Sequence, residues 1–133
     1  HSGPTRLTIE LIERLIGDYA INGKRVYVPG YSSGGEGTFD IVSRRPDLFA
    51  AAVPVCGIAD VTKAGVMKEV PFWIFHGEDD DINAVTYSRS IVAALKAEGA
   101  DPVYTEYRGM GHDCWHMAYD EPDLLPWLFS QEK

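Results

Sequence analysis

The sequence predicts an α/β domain in which a mostly parallel sheet carries helices on both faces. Three observations predict it. Short β-branched, aromatic or apolar runs at 25–28, 49–55, 70–75 and 103–107 alternate with segments of helical apolar spacing at 7–19, 36–44 and 85–98. The runs at 49–55 and 70–75 are continuously apolar, as strands buried on both faces are. Finally, Ser32, the aspartates 79–81 and His112 each follow a strand end, and ligand sites in such sheets lie beyond the carboxyl ends of the strands. All three should meet on one rim.

Leu7, Leu11, Ile12, Leu15, Ile16 and Tyr19 define an amphipathic helix over 7–19, with Glu10 and Glu13 near its positive end and one face packed on the sheet. Asn22-Gly23 turns into the first strand, 25–28, which Pro29-Gly30 should end. A serine-containing turn leads into a helix over 36–44 that stops at Pro46. The strand at 49–55 is weakened near its end by Pro54. Residues 57–68 read as irregular, with one helical turn at 64–67. The next strand, 70–75, ends at His76-Gly77 and is followed by the acidic loop 78–81. Gly99 caps a helix over 85–98, and 103–107 forms the last strand. His112 lies in the loop 108–115, and Leu124, Leu125, Leu128 and Phe129 mark a short helix after Pro122.

The 133 residues suffice for one domain, and no repeat, low-complexity segment or linker divides them. Apolar residues make up 45%, an ordinary share for a soluble globular protein. No apolar run approaches the roughly 18 residues that span a bilayer, so no membrane span is expected. The net charge is -8 and the twelve basic residues are scattered, which argues against a nucleic-acid surface. His1-Ser2-Gly3-Pro4 shows no signal-peptide pattern and reads as an internal cut. Cys56 and Cys114 read as small buried residues; one bridge between them would require an oxidising compartment, which the sequence leaves open.

The stretch Gly30-Tyr31-Ser32-Ser33-Gly34-Gly35 sets a small nucleophile between glycines at a strand-to-helix turn. A flexible Ser/Gly loop gives the same short pattern, so its weight comes from the flanking strand and helix and from the partners downstream. Such a turn strains the serine backbone, and Gly30 and Gly34 should be positions where a Cβ would clash. The Ser33 N–H at the helix start would point at an oxyanion. A serine hydroxyl needs a base, and the base needs a carboxylate to fix its tautomer. The 79–81 aspartates and His112 supply both in the chain order serine, acid, histidine.

Residues 30–35, the run Phe75-His76-Gly77-Glu78-Asp79-Asp80-Asp81, and Gly109-Met110-Gly111-His112-Asp113 resemble the nucleophile, acid and histidine motifs of α/β-hydrolase esterases. Within that superfamily the chain most resembles polyhydroxybutyrate depolymerases and the so-called predicted peptidases, also through 25–28, 45–57 and 104–107. The resemblance implies a serine esterase with Ser32 as nucleophile, His112 as base and Asp80, four residues after His76, as acid. It also implies no metal or organic cofactor, a small-molecule or polymer ester substrate, and a secreted or periplasmic location. Asn83-Ala84 stands where the family often has a proline. The family's N-terminal strands, with the loop that donates a second oxyanion N–H, lie outside these 133 residues. The first strand should therefore present an unpaired edge, through which a homo-oligomer or an association with the N-terminal segment is expected.

Other readings compete. His112, Cys114, His116 and Asp80 or Asp113 are zinc-ligating types, but their spacing matches no common zinc signature. A phosphoacceptor domain would use the aspartate cluster for magnesium but leaves the serine motif unexplained. A degenerate hydrolase fold could serve binding or assembly without turnover. Trp73 and Trp127 read as core, His76 as a structural hydrogen-bonding residue and His116 as a loop residue. Tyr31 and Trp115, in loops near the site, are the candidate substrate contacts.

Overall fold

The computed structural model describes residues 3–133. Four strands, β1 (Tyr27–Tyr31), β2 (Ala51–Val55), β3 (Trp73–Gly77) and β4 (Val103–Tyr107), form one sheet in the order β1-β2-β3-β4, all neighbours parallel. Helices α1 (Gly3–Asp18), α2 (Ser33–Arg44), α3 (Ala64–Met67), α4 (Thr86–Ala97), α5 (Trp115–Tyr119) and α6 (Leu124–Ser130) complete the chain. One core cluster joins Phe39 and Val42 of α2 and Ile91 and Leu95 of α4 to Ala52, Phe72 and Ile74. The other joins Val53, Val55, Trp73 and Phe75 to Cys114, Ala118 and Leu124. The side chains alternate along β2 and β3, so the sheet is covered on both faces, as the fully buried burial patterns of those strands require. No helix among the described residues is long and apolar enough to cross a membrane.

The first strand differs from its expected bounds. Pro29 and Gly30 do not end it; they are its third and fourth residues. Ala50 N–H donates to Val26 O and Ser32 N–H to Val55 O. By alternation, the even-numbered residues 26–32 therefore face β2, and Pro29 turns its missing N–H to the open edge, where it costs no ladder bond. Pro54 is placed differently, in a strand with neighbours on both sides. Pairing of β2 with β3 is confined to Val55 with Phe75 and an isolated bridge from Ala52 to Phe72, and the gap between them falls at Pro54.

The first helix packs differently from the expectation. Thr5, Ile9, Ile12 and Ile16 are its partly buried positions, and Ile9 and Ile12 rest on the α2 side of the core. Thr5 donates to Asp40 of α2 at 2.7 Å. Leu7, Leu11 and Tyr19 point outward at 58%, 54% and 65% exposure. The helix lies over α2 rather than on the sheet, because α2 already occupies that face of β1 and β2. The third strand begins at Trp73 rather than residue 70 and runs through His76 and Gly77, while α3 and β4 have the predicted bounds, and Gly99 at φ 88° closes α4. Its N–H donates to Lys96 O while Ala100 N–H reaches Leu95 O, the paired bonds of a Schellman cap. Trp115 and His116, expected in loop, instead begin α5, whose five residues are too few for a periodicity signal.

On β4, Arg89 and the Tyr104 hydroxyl both donate to Glu106. Arg89, outweighing burial and aided by Tyr104, holds the Glu106 carboxyl at about 2, below its ordinary 4.5. A depressed carboxyl stabilises the fold above its unfolded value and loses that contribution as pH falls through the folded value. Melting temperature should therefore fall between pH 4.5 and about 2. Arg89→Ala should flatten that fall. Because Arg89 is half exposed, added salt should flatten it too.

Candidate active site

Ser32 stands between β1 and α2 with φ 55° and ψ -116°. A non-glycine residue at positive φ costs of order 1–3 kcal/mol and persists only where its surroundings over-determine it. Here Ser32 N–H is tied to Val55 O at 2.8 Å and Ser32 O accepts from Glu36 N–H at 3.0 Å, so strand and helix both hold the turn. A Cβ on Gly30 would lie 2.0 Å from Gly34 O, which only glycine tolerates. Gly34 is not the second such position: nothing lies within 4 Å of a Cβ there. Gly35 is, with Val55 O at 2.8 Å, because the first turn of α2 directs residue 35 toward β2 and residue 34 away. Ser33, an exposed residue, begins α2, so its N–H has no intrahelical acceptor.

Asp80 follows β3 and is 8% exposed, whereas Asp79 and Asp81 are exposed. Its Oδ1 accepts the N–H groups of Ile82 at 2.9 Å and Asn83 at 2.8 Å. Its Oδ2 lies 2.8 Å from His112 Nδ1 and 3.1 Å from His76 Nε2. Burial acts against ionisation as the largest single influence, but the bonds from His112 and the two N–H groups together outweigh it and keep the carboxyl below its ordinary value. His112 Nε2 in turn lies 2.8 Å from Ser32 Oγ. A continuous path of hydrogen bonds thus links Ser32, His112 and Asp80.

The loops bearing acid and histidine are joined along their backbones. Glu78 N–H donates to Tyr107 O and Asp79 N–H to Met110 O, both at 2.9 Å, and Gly109, at φ 69°, donates to the Glu78 carboxylate at 3.0 Å. His76 is wholly buried. Since a carbonyl only accepts, its Nε2 donates to Asn83 O at 2.7 Å, and its Nδ1 then accepts from Ser88 Oγ at 2.7 Å. His76 therefore braces the acid loop, a wider role than its expected one. Asn83, where a family proline was expected, adds a bond of its own: its Nδ2 donates to Cys56 O at 2.9 Å. The sequence offered no signal for that contact, which is made across 27 residues.

Tyr31 ends β1, with its ring 5.2 Å from the His112 imidazole and its hydroxyl donating to Asp113 at 3.3 Å. Burial, then the Asp113 charge, pushes the phenol up to about 12. Trp115 is 44% exposed and 6.4 Å from Tyr31. A cleft of about 580 Å³ beside His112 is lined by Ile82, Met110, Asp113 and His116. Trp73 and Trp127 pack edge to face at 5.5 Å, as core. The ligand atoms of Cys56, Asp80 and His112 lie within 4.8 Å of one another, close enough to share a cation only by breaking the Asp80–His112 bond. That group differs from the zinc set considered from the sequence.

A strained serine at a strand-to-helix turn, on a parallel sheet that gathers acid and histidine at the same strand ends, defines the α/β-hydrolase fold. The chain belongs to the α/β-hydrolase superfamily, with esterases among its relatives. Residues 8–73 match the model of the prolyl oligopeptidase family, Peptidase_S9. The crystal structure of a thermostable esterase superposes with a TM-score of 0.96 at 36% identity, covering 99% of this chain and 38% of that one. The bifunctional acetylxylan esterase/xylanase XynS20E of Neocallimastix patriciarum is 31% identical over 78 residues, 59% of this chain and 12% of its own length. Putative alpha/beta hydrolase L404 of Acanthamoeba polyphaga mimivirus is 24% identical over 115 residues, 74% of this chain and 44% of its own. The chain thus spans less than half the length of these relatives.

Proposed function

We propose that this domain hydrolyses carboxylic esters through an acyl-enzyme intermediate. The observation that carries the reading is the unbroken relay from Ser32 Oγ through His112 to buried Asp80. Ser32 attacks the ester carbonyl while His112 takes its proton and passes it to the leaving alcohol; water then releases the acid by the reverse route. Asp80 holds the imidazole with Nδ1 protonated, leaving Nε2 to accept from the serine. Ser33 N–H stabilises the developing oxyanion, aided by the α2 dipole. Tyr31 and Trp115 contact the acyl or alcohol portion. The esterase likeness at 36% identity favours ester over amide substrates, and the chemistry requires no metal or organic cofactor.

The test is labelling of the purified chain with a fluorophosphonate, followed by peptide mapping. A single adduct on Ser32 is expected. No adduct on folded protein would overturn turnover in this chain and favour a binding role. Removing one of two oxyanion donors lowers rates by about 10² to 10³, so with Ser33 as a lone donor multiple turnover should be slow while single labelling still registers. Asp80→Asn should slow labelling severely, because it disrupts the His112 tautomer, whereas Asp79→Asn and Asp81→Asn should have mild effects. The opposite ranking would show that another carboxylate is the acid.

Self-association along β1 belongs to the same proposal. Pro29 removes one donor from that edge, so only a short ladder can form there. Light scattering that gives one monomeric mass at every concentration would count against it. A secreted location draws support from a protein of Arthroderma benhamiae described as secreted, 25% identical over 128 residues.

A further inference from the structure

We propose that Cys56 and Cys114 form a redox site whose disulfide staples the loop carrying His112 to the end of the central strand β2. The two sulfurs lie 3.2 Å apart and both residues are wholly buried. Neither is in the hydrogen-bond relay of the neighbouring site, yet Cys56 contacts both the acid loop and the histidine loop. Cys56 directly follows β2 at φ 51°, its carbonyl receives Asn83 of the acid loop, and its Sγ lies 3.6 Å from His112 O. Cys114 is two residues beyond His112. The bond would close a separation of 58 residues and needs the sulfurs to approach by about 1 Å.

The chemistry favours one order of events. The S–H···S contact stabilises a thiolate on the accepting sulfur, and Cys114, with exposed residues on both sides, is the one an oxidant reaches first. Cys114 is buried, but Asp113 and Trp115 on either side are exposed, so a small opening of this loop admits an oxidant. The oxidant is a low-molecular-weight disulfide of the glutathione class. The Cys114 thiolate attacks one of its sulfurs and expels one thiolate. Cys56 then loses its proton and attacks the Cys114 sulfur of the mixed disulfide, expelling the second thiolate. The two released thiolates take the two protons, so the protein pair is oxidised by two electrons and the small disulfide is reduced to two thiols.

The experiment equilibrates the folded chain with oxidised glutathione, alkylates it after unfolding, and reads intact mass, peptide map and melting temperature. The expected product has lost two hydrogens, takes no alkyl group, runs as a monomer without reductant and yields a linked Cys56–Cys114 peptide. Its melting temperature should rise by about 5–15 °C and return on reduction. Two alkylated thiols, a persistent mixed disulfide, disulfide-linked dimers, or a melting temperature unchanged by the bond would each overturn the proposal. None of these readouts depends on Ser32, so failure here and failure of the hydrolase reading are separately visible.

Discussion

Ser32→Ala should abolish fluorophosphonate labelling while leaving the melting temperature within a few degrees of the parent. The hydroxyl is the only atom removed, and the backbone bonds from Ser32 N–H to Val55 O and from Glu36 N–H to Ser32 O do not involve it. His112→Ala should lower labelling by about 10⁴-fold or more, since an unassisted serine hydroxyl is a poor nucleophile. Ser32→Gly separates strain from chemistry. It also removes the nucleophile, but glycine adopts φ 55° without a Cβ penalty, so unfolding free energy should rise by about 1 kcal/mol. Labelling that survives in Ser32→Ala would remove this residue from the reaction. A drop in stability in Ser32→Gly would show that its backbone is not strained.

Gly77→Ala should be the most disruptive single-atom addition to the acid strand. A Cβ at this position would stand 2.2 Å from Gly111 O and 2.5 Å from Met110 O. Both are backbone atoms of the loop preceding His112, so no side-chain rotation relieves the clash. Overpacking of this kind costs about 3 kcal/mol, and the relief it forces pushes the histidine loop away from Asp80. Urea unfolding should show the stability loss, and labelling of Ser32 should fall with it. Gly34→Ala is the control: open space surrounds that position at the start of α2, and alanine there should be neutral or stabilising by up to about 1 kcal/mol. Equal destabilisation of the two variants would contradict the packing described.

The difference between Gly34 and Gly35 marks the limit of what a motif conveys. Both glycines are in the pattern, and only the direction in which the first turn of α2 leaves the strand decides which one faces Val55 O and Gly57. Pro29 and Pro54 make the same point in the sheet. A proline reads as a strand breaker from either position, but the cost depends on whether its absent N–H faces an open edge or a neighbouring strand. In the first helix, apolar spacing established the helix itself; the choice between Leu7, Leu11 and Leu15 or Ile9 and Ile12 as the packed stripe was made by the shape of α2 beneath it.

By itself the sequence determined the class of fold, the succession of its strands and longer helices, and the three segments after strand ends that bear Ser32, Asp80 and His112. Those properties are local: apolar periodicity, turn residues and the placement of polar side chains after strand ends are all written within a few residues of one another. The family resemblance singled out Asp80 among three adjacent aspartates; tertiary structure alone decided that His76 and Asn83 brace the acid loop and that Cys56 meets Cys114 beneath it. Each of these contacts joins side chains or backbone from segments whose meeting depends on the register of parallel strands and the path of the connecting loops. Their energies come from burial and hydrogen bonding realised only once the sheet has formed.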